Sequence, residues 1–124
     1  VKIPRAFLEE AMARCTPGAE CAALLFGRGD VVEAWRWMRN VLNSPAAFRL
    51  DAEEMYKALA EAEGAGRELV AIFHTHPGPP DPSPLDVRYM AVWRVVWLIA
   101  NVYTWETAAW ILKSGVELVP VEYI

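Results

Sequence analysis

The chain contains two histidines, and both fall in the run His74-Thr75-His76-Pro77-Gly78-Pro79-Pro80-Asp81-Pro82-Ser83-Pro84-Leu85-Asp86. In an extended segment, residues i and i+2 point to the same side. Two imidazoles there can converge on one ion, and Asp86 can return from the far side of the loop as an oxygen ligand. Three protein ligands with one position left open is the arrangement of a catalytic zinc rather than a structural one. Ser83 and Asp86 also read as an ordinary helix start, with Ser at the N-cap, Pro84 at N1 and an acid at N3. That reading leaves both histidines unexplained. The two readings are compatible, because a cap can fix the rotamer of a ligand one turn inside. A histidine standing alone is usually a hydrogen-bonded core residue, but a pair at the end of an apolar run, where functional loops gather, asks for more.

Other chemistries that use such residues find no support. The zinc deaminases need a Pro-Cys-x-x-Cys ligand pair, which this chain lacks. The HExxH metalloprotease helix is absent. A Ser-His-Asp triad has no Gly-x-Ser-x-Gly elbow to carry it. A nucleophilic thiolate is not expected at Cys15 or Cys21.

The elements that must position these residues can be read from periodicity. Residues 4–15 place Phe7, Leu8, Ala11, Met12 and Cys15 at helical spacing, with Pro4 suited to the first turn and Thr16-Pro17-Gly18 as the stop. Cys21 to Phe26 and Val31 to Arg39 are strand-like runs joined through Gly27-Arg28-Gly29-Asp30, as in a hairpin. Residues 40–50 form a loop containing Asn43-Ser44-Pro45. Asp51 begins a second helix with Glu54 placed for a capping box. Its inner stripe is Met55, Leu59 and Ala62, and Gly64 and Gly66 end it. Leu69 to Phe73 is an unbroken apolar run, a strand covered on both faces, and it leads straight into His74. A helix from about Pro84 to Val92 and strands at Val95–Val102, Thr107–Lys113 and Val116–Glu122 complete the chain. With no repeat or linker, the expectation is one mixed α/β domain over residues 1–124, a sheet flanked by helices.

Composition bounds the partners. At 124 residues, 55% of them hydrophobic, the chain can bury one real core. A net charge of −4 without a basic cluster argues against a dedicated nucleic-acid binder. No apolar run reaches the length of a membrane span, and the N-terminal residues do not resemble a signal peptide, so the expected location is cytoplasmic. The two cysteines are too few for a disulfide framework. The absence of glutamine is a weak thermophilic sign that makes a Cys15–Cys21 bridge conceivable, but the expectation is two buried thiols.

At His74-Thr75-His76-Pro77 followed by Ser83-x-x-Asp86, the chain resembles the JAMM (MPN-plus) metalloprotease family. The family also carries an upstream glutamate in a context like Pro-x-x-Glu-x-x-Gly-Leu-Leu-x-Gly, and Pro17-Gly18-Ala19-Glu20-Cys21-Ala22-Ala23-Leu24-Leu25-Phe26-Gly27 is similar to it. The segments Phe48-Arg49-Leu50-Asp51 and Glu68-Leu69-Val70-Ala71-Ile72-Phe73-His74 follow the same pattern. Two departures stand out. The loop between His76 and Ser83 has six residues where seven is commoner, and Ala23 replaces a usual glycine.

The resemblance implies an MPN/JAMM fold similar to the cytidine deaminase-like fold. It implies Zn²⁺ held by His74, His76 and Asp86, Glu20 as general base, and Ser83 as hydrogen-bond donor to the oxyanion. The implied activity is isopeptide cleavage between lysine and a ubiquitin-like or sulfur-carrier protein. Removal of a small adduct from a sulfur carrier is a rival within the family, and a non-catalytic MPN scaffold is a rival outside enzymology. Glu20 on its residue type alone would read as a solvated carboxylate at a strand start. Among the tryptophans, Trp93, Trp97 and Trp110 read as core. Trp35 and Trp37 share one strand face and read as packing, although exposed together they could form a homodimer or partner patch. Trp105 is a second candidate for exposure.

Overall fold

The computed structural model describes residues 1–42 and 49–124. Along the chain run β1 (Lys2–Ile3), α1 (Arg5–Arg14), β2 (Ala22–Arg28), β3 (Val31–Met38), α2 (Ala52–Gly64) and β4 (Glu68–His76). They are followed by α3 (Pro84–Val92), β5 (Val96–Asn101), β6 (Thr107–Leu112), β7 (Val116–Val119) and β8 (Glu122–Tyr123). All strands join one eight-stranded mixed sheet in the order β7-β6-β5-β4-β2-β3-β1-β8. The fold is mixed α/β, as expected.

The centre of the sheet is β2 and β4, paired antiparallel with Ala22 opposite His74. β4 runs parallel to β5, and the connection between them is the Pro-rich segment followed by α3. Side-chain alternation sorts the core into two layers. Ala23, Leu25, Phe73 and Leu98 pack with Phe7 and Ala11 of α1. Ala22, Leu24, Ile72 and Trp97 pack on the other face with Met55, Ala58 and Ala62 of α2 and Met90 of α3. Each large apolar side chain buried in this way contributes about 1.5–3 kcal/mol. By the same alternation His74 and His76 project to the face covered by α2 and α3, and Thr75 projects to the α1 face. The sheet curls on the α1 side, where Thr107 of β6 shares a hydrogen bond with Tyr123 of β8 although β8 ends the opposite half of the sheet.

The hairpin forms where expected, with β2 and β3 antiparallel and a register shift between Phe26 and Gly27. Glycine is required there, because a Cβ on Gly27 would collide with the Val31 carbonyl. Asp51 caps α2 by accepting the Glu53 and Glu54 N–H groups. Pro4 stands at the N-cap of α1 rather than inside its first turn.

Three expectations change. The strand expected over Val116–Glu122 divides at Pro120 into β7 and β8, which lie at opposite edges of the sheet; proline cannot donate to a ladder and ends the first piece. The apolar run before His74 is a longer strand that contains both histidines. The cysteines are not free thiols: Cys15 and Cys21 form a disulfide, with Cα atoms 5.6 Å apart. Cys15 is the C-cap of α1 and Cys21 immediately precedes β2, so the turn between them sets a separation within disulfide reach.

The expected loop over residues 40–50 is described at its two ends. Asn40 and Leu50 form an antiparallel bridge, and the Val41 N–H donates to the Arg49 carbonyl at 2.9 Å. Asn43-Ser44-Pro45 and Phe48 lie outside the described residues. Among the described residues, no helix is long and apolar enough to cross a membrane.

Candidate active site

His74 is fully buried and His76 is half-buried, both near the C-terminal end of β4. The rings of His74 and Trp97 meet edge to face at 5.8 Å. The two Nε2 atoms are 2.9 Å apart. Asp86, on the first turn of α3, brings Oδ2 to 2.9 Å from His76 Nε2 and 3.3 Å from His74 Nε2. Ser83 is the N-cap of that helix, and both halves of a capping box are formed. Both readings of Ser-Pro-Leu-Asp therefore hold at once. The Ser83 hydroxyl oxygen accepts the Asp86 N–H at 3.1 Å, which uses a lone pair and leaves the O–H proton free to donate.

Glu20 reaches the centre from the segment before β2. It is only 3% exposed, and its Oε1 lies 3.4 Å from His76 Nε2. Among the described residues, neither of its carboxyl oxygens takes a hydrogen bond. Its backbone is tightly held instead. The Cys21 N–H donates to Thr75 Oγ1 at 2.9 Å, the Thr75 N–H donates to the Cys21 carbonyl at 3.0 Å, and Asn40 Nδ2 donates to the Glu20 carbonyl at 3.1 Å. Thr75, between the histidines but on the opposite face, thus aligns the glutamate with them. Sequence reading passed over both Thr75 and Asn40. The position of Thr75 within the His-x-His triplet was the available signal for the first.

The donor set fits a metal ion. Three atoms with lone pairs, two imidazole nitrogens and one carboxylate oxygen, face one point with mutual separations of 2.9, 2.9 and 3.3 Å. Tetrahedral ligand atoms at bond lengths of about 2.0–2.1 Å lie roughly 3.3 Å apart. Glu20, His74 and His76 likewise offer ligand atoms within 4.8 Å of one another.

Charge in this pocket is strongly displaced. Burial pushes the Glu20 carboxyl up to about 8, partly countered by the His76 charge and reinforced by Asp86. Burial also lowers His74, against its hydrogen bond and attraction to Asp86. Burial opposes a charge on His76 too, but Asp86, Glu20 and the Pro79 backbone outweigh it and raise its pKa. For Asp86, burial is outweighed by hydrogen bonds from His74 and His76, attraction to His74 and the Ser83 N–H, which hold the carboxyl far below the usual carboxylate range.

On the same face of the sheet lies a cavity of about 230 Å³ whose lining includes Arg49, Leu50, Met55, Tyr56, Trp93 and Trp97. Trp97 is shared: it walls the cavity and also contacts His74. Trp35 and Trp37 are half-buried, donate to the Glu10 carboxylate and pack on Phe7, so the packing reading holds for them. Trp105 is half-buried as well and packs against the α1-side core.

A buried carboxyl beside a His-His-Asp triangle, on this curled mixed sheet, defines a hydrolase of the JAMM type with a metal-binding group. The family described as prokaryotic homologs of the JAB domain matches residues 3–113, and the chain belongs to that family. It is 44% identical over 106 residues to a desampylase of Pyrococcus furiosus, spanning 85% of this chain and 75% of that protein. It is 38% identical over 120 residues to a Thermus thermophilus protein named a probable TtuB-protein conjugate cleaving protease, spanning 94% and 78%. Among solved structures, a protein of Desulfitobacterium hafniense superposes with a TM-score of 0.84 at 25% identity, over 99% of this chain and 92% of that one. A JAB1/MPN domain protein of Archaeoglobus fulgidus shares the fold, with a TM-score of 0.65 at 20% identity over 100% of this chain and 99% of that one.

Proposed function

We propose that the chain is a zinc metalloprotease that hydrolyses the isopeptide bond between the C-terminus of a small ubiquitin-like or sulfur-carrier protein and a lysine. The observation that carries this reading is the convergence of His74 Nε2, His76 Nε2 and Asp86 Oδ2 on one point, with the buried Glu20 carboxyl beside it. A likeness of 44% to a desampylase and of 38% to a conjugate-cleaving protease supports the substrate class.

In this reading His74, His76 and Asp86 would hold the ion. Bound there, zinc supplies a Lewis acid that polarises the scissile carbonyl and acidifies water. The chain's own groups do the rest. Glu20 Oε1 accepts the proton of the attacking water and returns it to the lysine nitrogen as the C–N bond breaks. The Ser83 hydroxyl proton, left free by the cap, is donated to the oxyanion. The cavity that shares its Trp97 wall with His74 offers an apolar seat for part of the modifier.

Purified protein should carry about one zinc per chain and release lysine-bearing protein from a modifier conjugate. Chelation should stop the reaction and added zinc restore it. A well-folded protein that takes up no zinc overturns the proposal, as does a zinc-loaded one that leaves modifier conjugates intact.

A further inference from the structure

Every residue from His76 to Pro84 is either a proline or the residue before one: prolines stand at 77, 79, 80, 82 and 84. Proline fixes its own φ near −65° and holds the preceding residue in the extended region. Ser83, at φ −76° and ψ 166°, shows that restriction. The connection between β4 and α3 therefore behaves as a stiff strut rather than a flexible loop. A stiff segment transmits a constraint applied at its middle to both ends.

Such a constraint is present. Trp110, on β6, donates its indole Nε1–H to the Pro80 carbonyl at 2.8 Å, and Pro80 is buried. The near end of the strut is fixed as well, since the Val102 N–H donates to the His76 carbonyl at 2.9 Å. From Pro80 only Asp81 and Pro82 intervene before Ser83, both conformationally restricted.

We infer that Trp110 is a positioning residue: its indole N–H clamps the proline strut at Pro80 and so sets where the Ser83 hydroxyl stands relative to the reacting carbonyl. The inference rests on the proposed function for its kinetic consequence and on the strut geometry alone for its structural one.

Trp110→Phe keeps an aromatic ring in the sheet and removes the N–H donor together with part of the indole's volume. It should lower kcat about tenfold, a part of the roughly 10²–10³ that loss of an oxyanion donor costs, while KM and zinc content stay at wild-type values. In a Ser83→Ala background the same substitution should change kcat no further, because the two act through one group. Amide hydrogen exchange at Ser83 and Asp86 should quicken in Trp110→Phe. An unchanged kcat overturns the inference, and so does an equal loss in both backgrounds, which marks a merely structural residue. Should Trp110→Phe not fold, one glycine inserted between Pro80 and Asp81 preserves the indole bond and uncouples the strut. It should give the same kcat loss, again absent with Ser83→Ala, and an unchanged kcat would overturn the inference equally. If the wild type cleaves no conjugate, the proposed function fails, and exchange at Ser83 and Asp86 still decides the clamp: unchanged rates in the variant refute it.

Discussion

Ser83 and Asp86 bind each other through two hydrogen bonds of opposite direction. The Ser83 N–H donates to Asp86 Oδ2 at 2.8 Å, and the Asp86 N–H donates to Ser83 Oγ at 3.1 Å. The same Oδ2 faces both imidazoles, at 2.9 Å from His76 and 3.3 Å from His74. One oxygen thus closes the start of α3 and completes the proposed ligand triangle, so the helix start aims the ligand.

Replacing Ser83 by Ala removes an N-cap and an O–H donor together, and a control separates the two losses. Ser83→Ala should cost about 1 kcal/mol of stability and lower kcat by roughly 10²–10³ with zinc retained. Asp51→Ala removes the cap of α2, where the carboxylate accepts the Glu53 and Glu54 N–H groups. It should cost a similar stability and leave kcat alone, as thermal melts and steady-state cleavage would show.

Asp86→Asn keeps the shape of the side chain and deletes its charge. Zinc per chain, measured after dialysis against a weak chelator, should fall far below the wild-type value. His76→Ala should do the same. Zinc retained in full by Asp86→Asn would place the third ligand elsewhere, with Glu20 the next carboxylate in reach.

Glu20→Gln should keep zinc and abolish cleavage. In protein stripped of metal it should also change the pH dependence of stability. The folded pKa, about 8, lies above the unfolded value of 4.5, so between these values the folded state holds a proton that the unfolded state has lost. Stability contributed by the protonated form is fully present below pH 4.5 and is lost as pH rises through about 8. The melting temperature of stripped wild type, measured relative to stripped Glu20→Gln, should therefore fall across that window and level off above it. A flat difference would show that burial does not raise this carboxyl.

The disulfide ties the end of α1 to the residue after Glu20. Closing so short a loop is worth about 2 kcal/mol. The double variant Cys15→Ser, Cys21→Ser should melt lower than oxidised wild type. Reductant should bring wild type down to the variant's level. Equal melting with and without reductant would mean that the bridge is not formed in solution.

Tyr56 is exposed yet lines the cavity walled by Trp97, so it can be changed without disturbing the core. Tyr56→Ser should raise KM for a modifier conjugate several-fold and leave kcat near wild type. An unchanged KM would remove the cavity from the substrate path.

Much of the site was legible in the chain because its signals are local. The i, i+2 spacing of His74 and His76 fixes a shared strand face, and Ser-Pro-Leu-Asp carries its own cap chemistry. Glu20 was legible only through family resemblance, since nothing in its neighbours announces that a carboxyl at a strand start will be buried. β1 and β8 escaped because two-residue strands carry no periodicity, and the split at Pro120 depends on which strands offer a free edge.

By itself, the sequence determined the helix starts at Asp51 and Ser83, the strand that carries both histidines, and the stiffness of the segment that follows them. These depend on backbone restriction and side-chain period, which act within a few residues. The tertiary structure alone decided that Thr75 grips Cys21 across β2 and β4, that Cys15 meets Cys21, and that Trp110 reaches Pro80 from two strands away. It also decided the ionisation of Glu20, whose shift comes from losing water. That loss is set by everything packed around the group, and residues distant in sequence supply most of the packing.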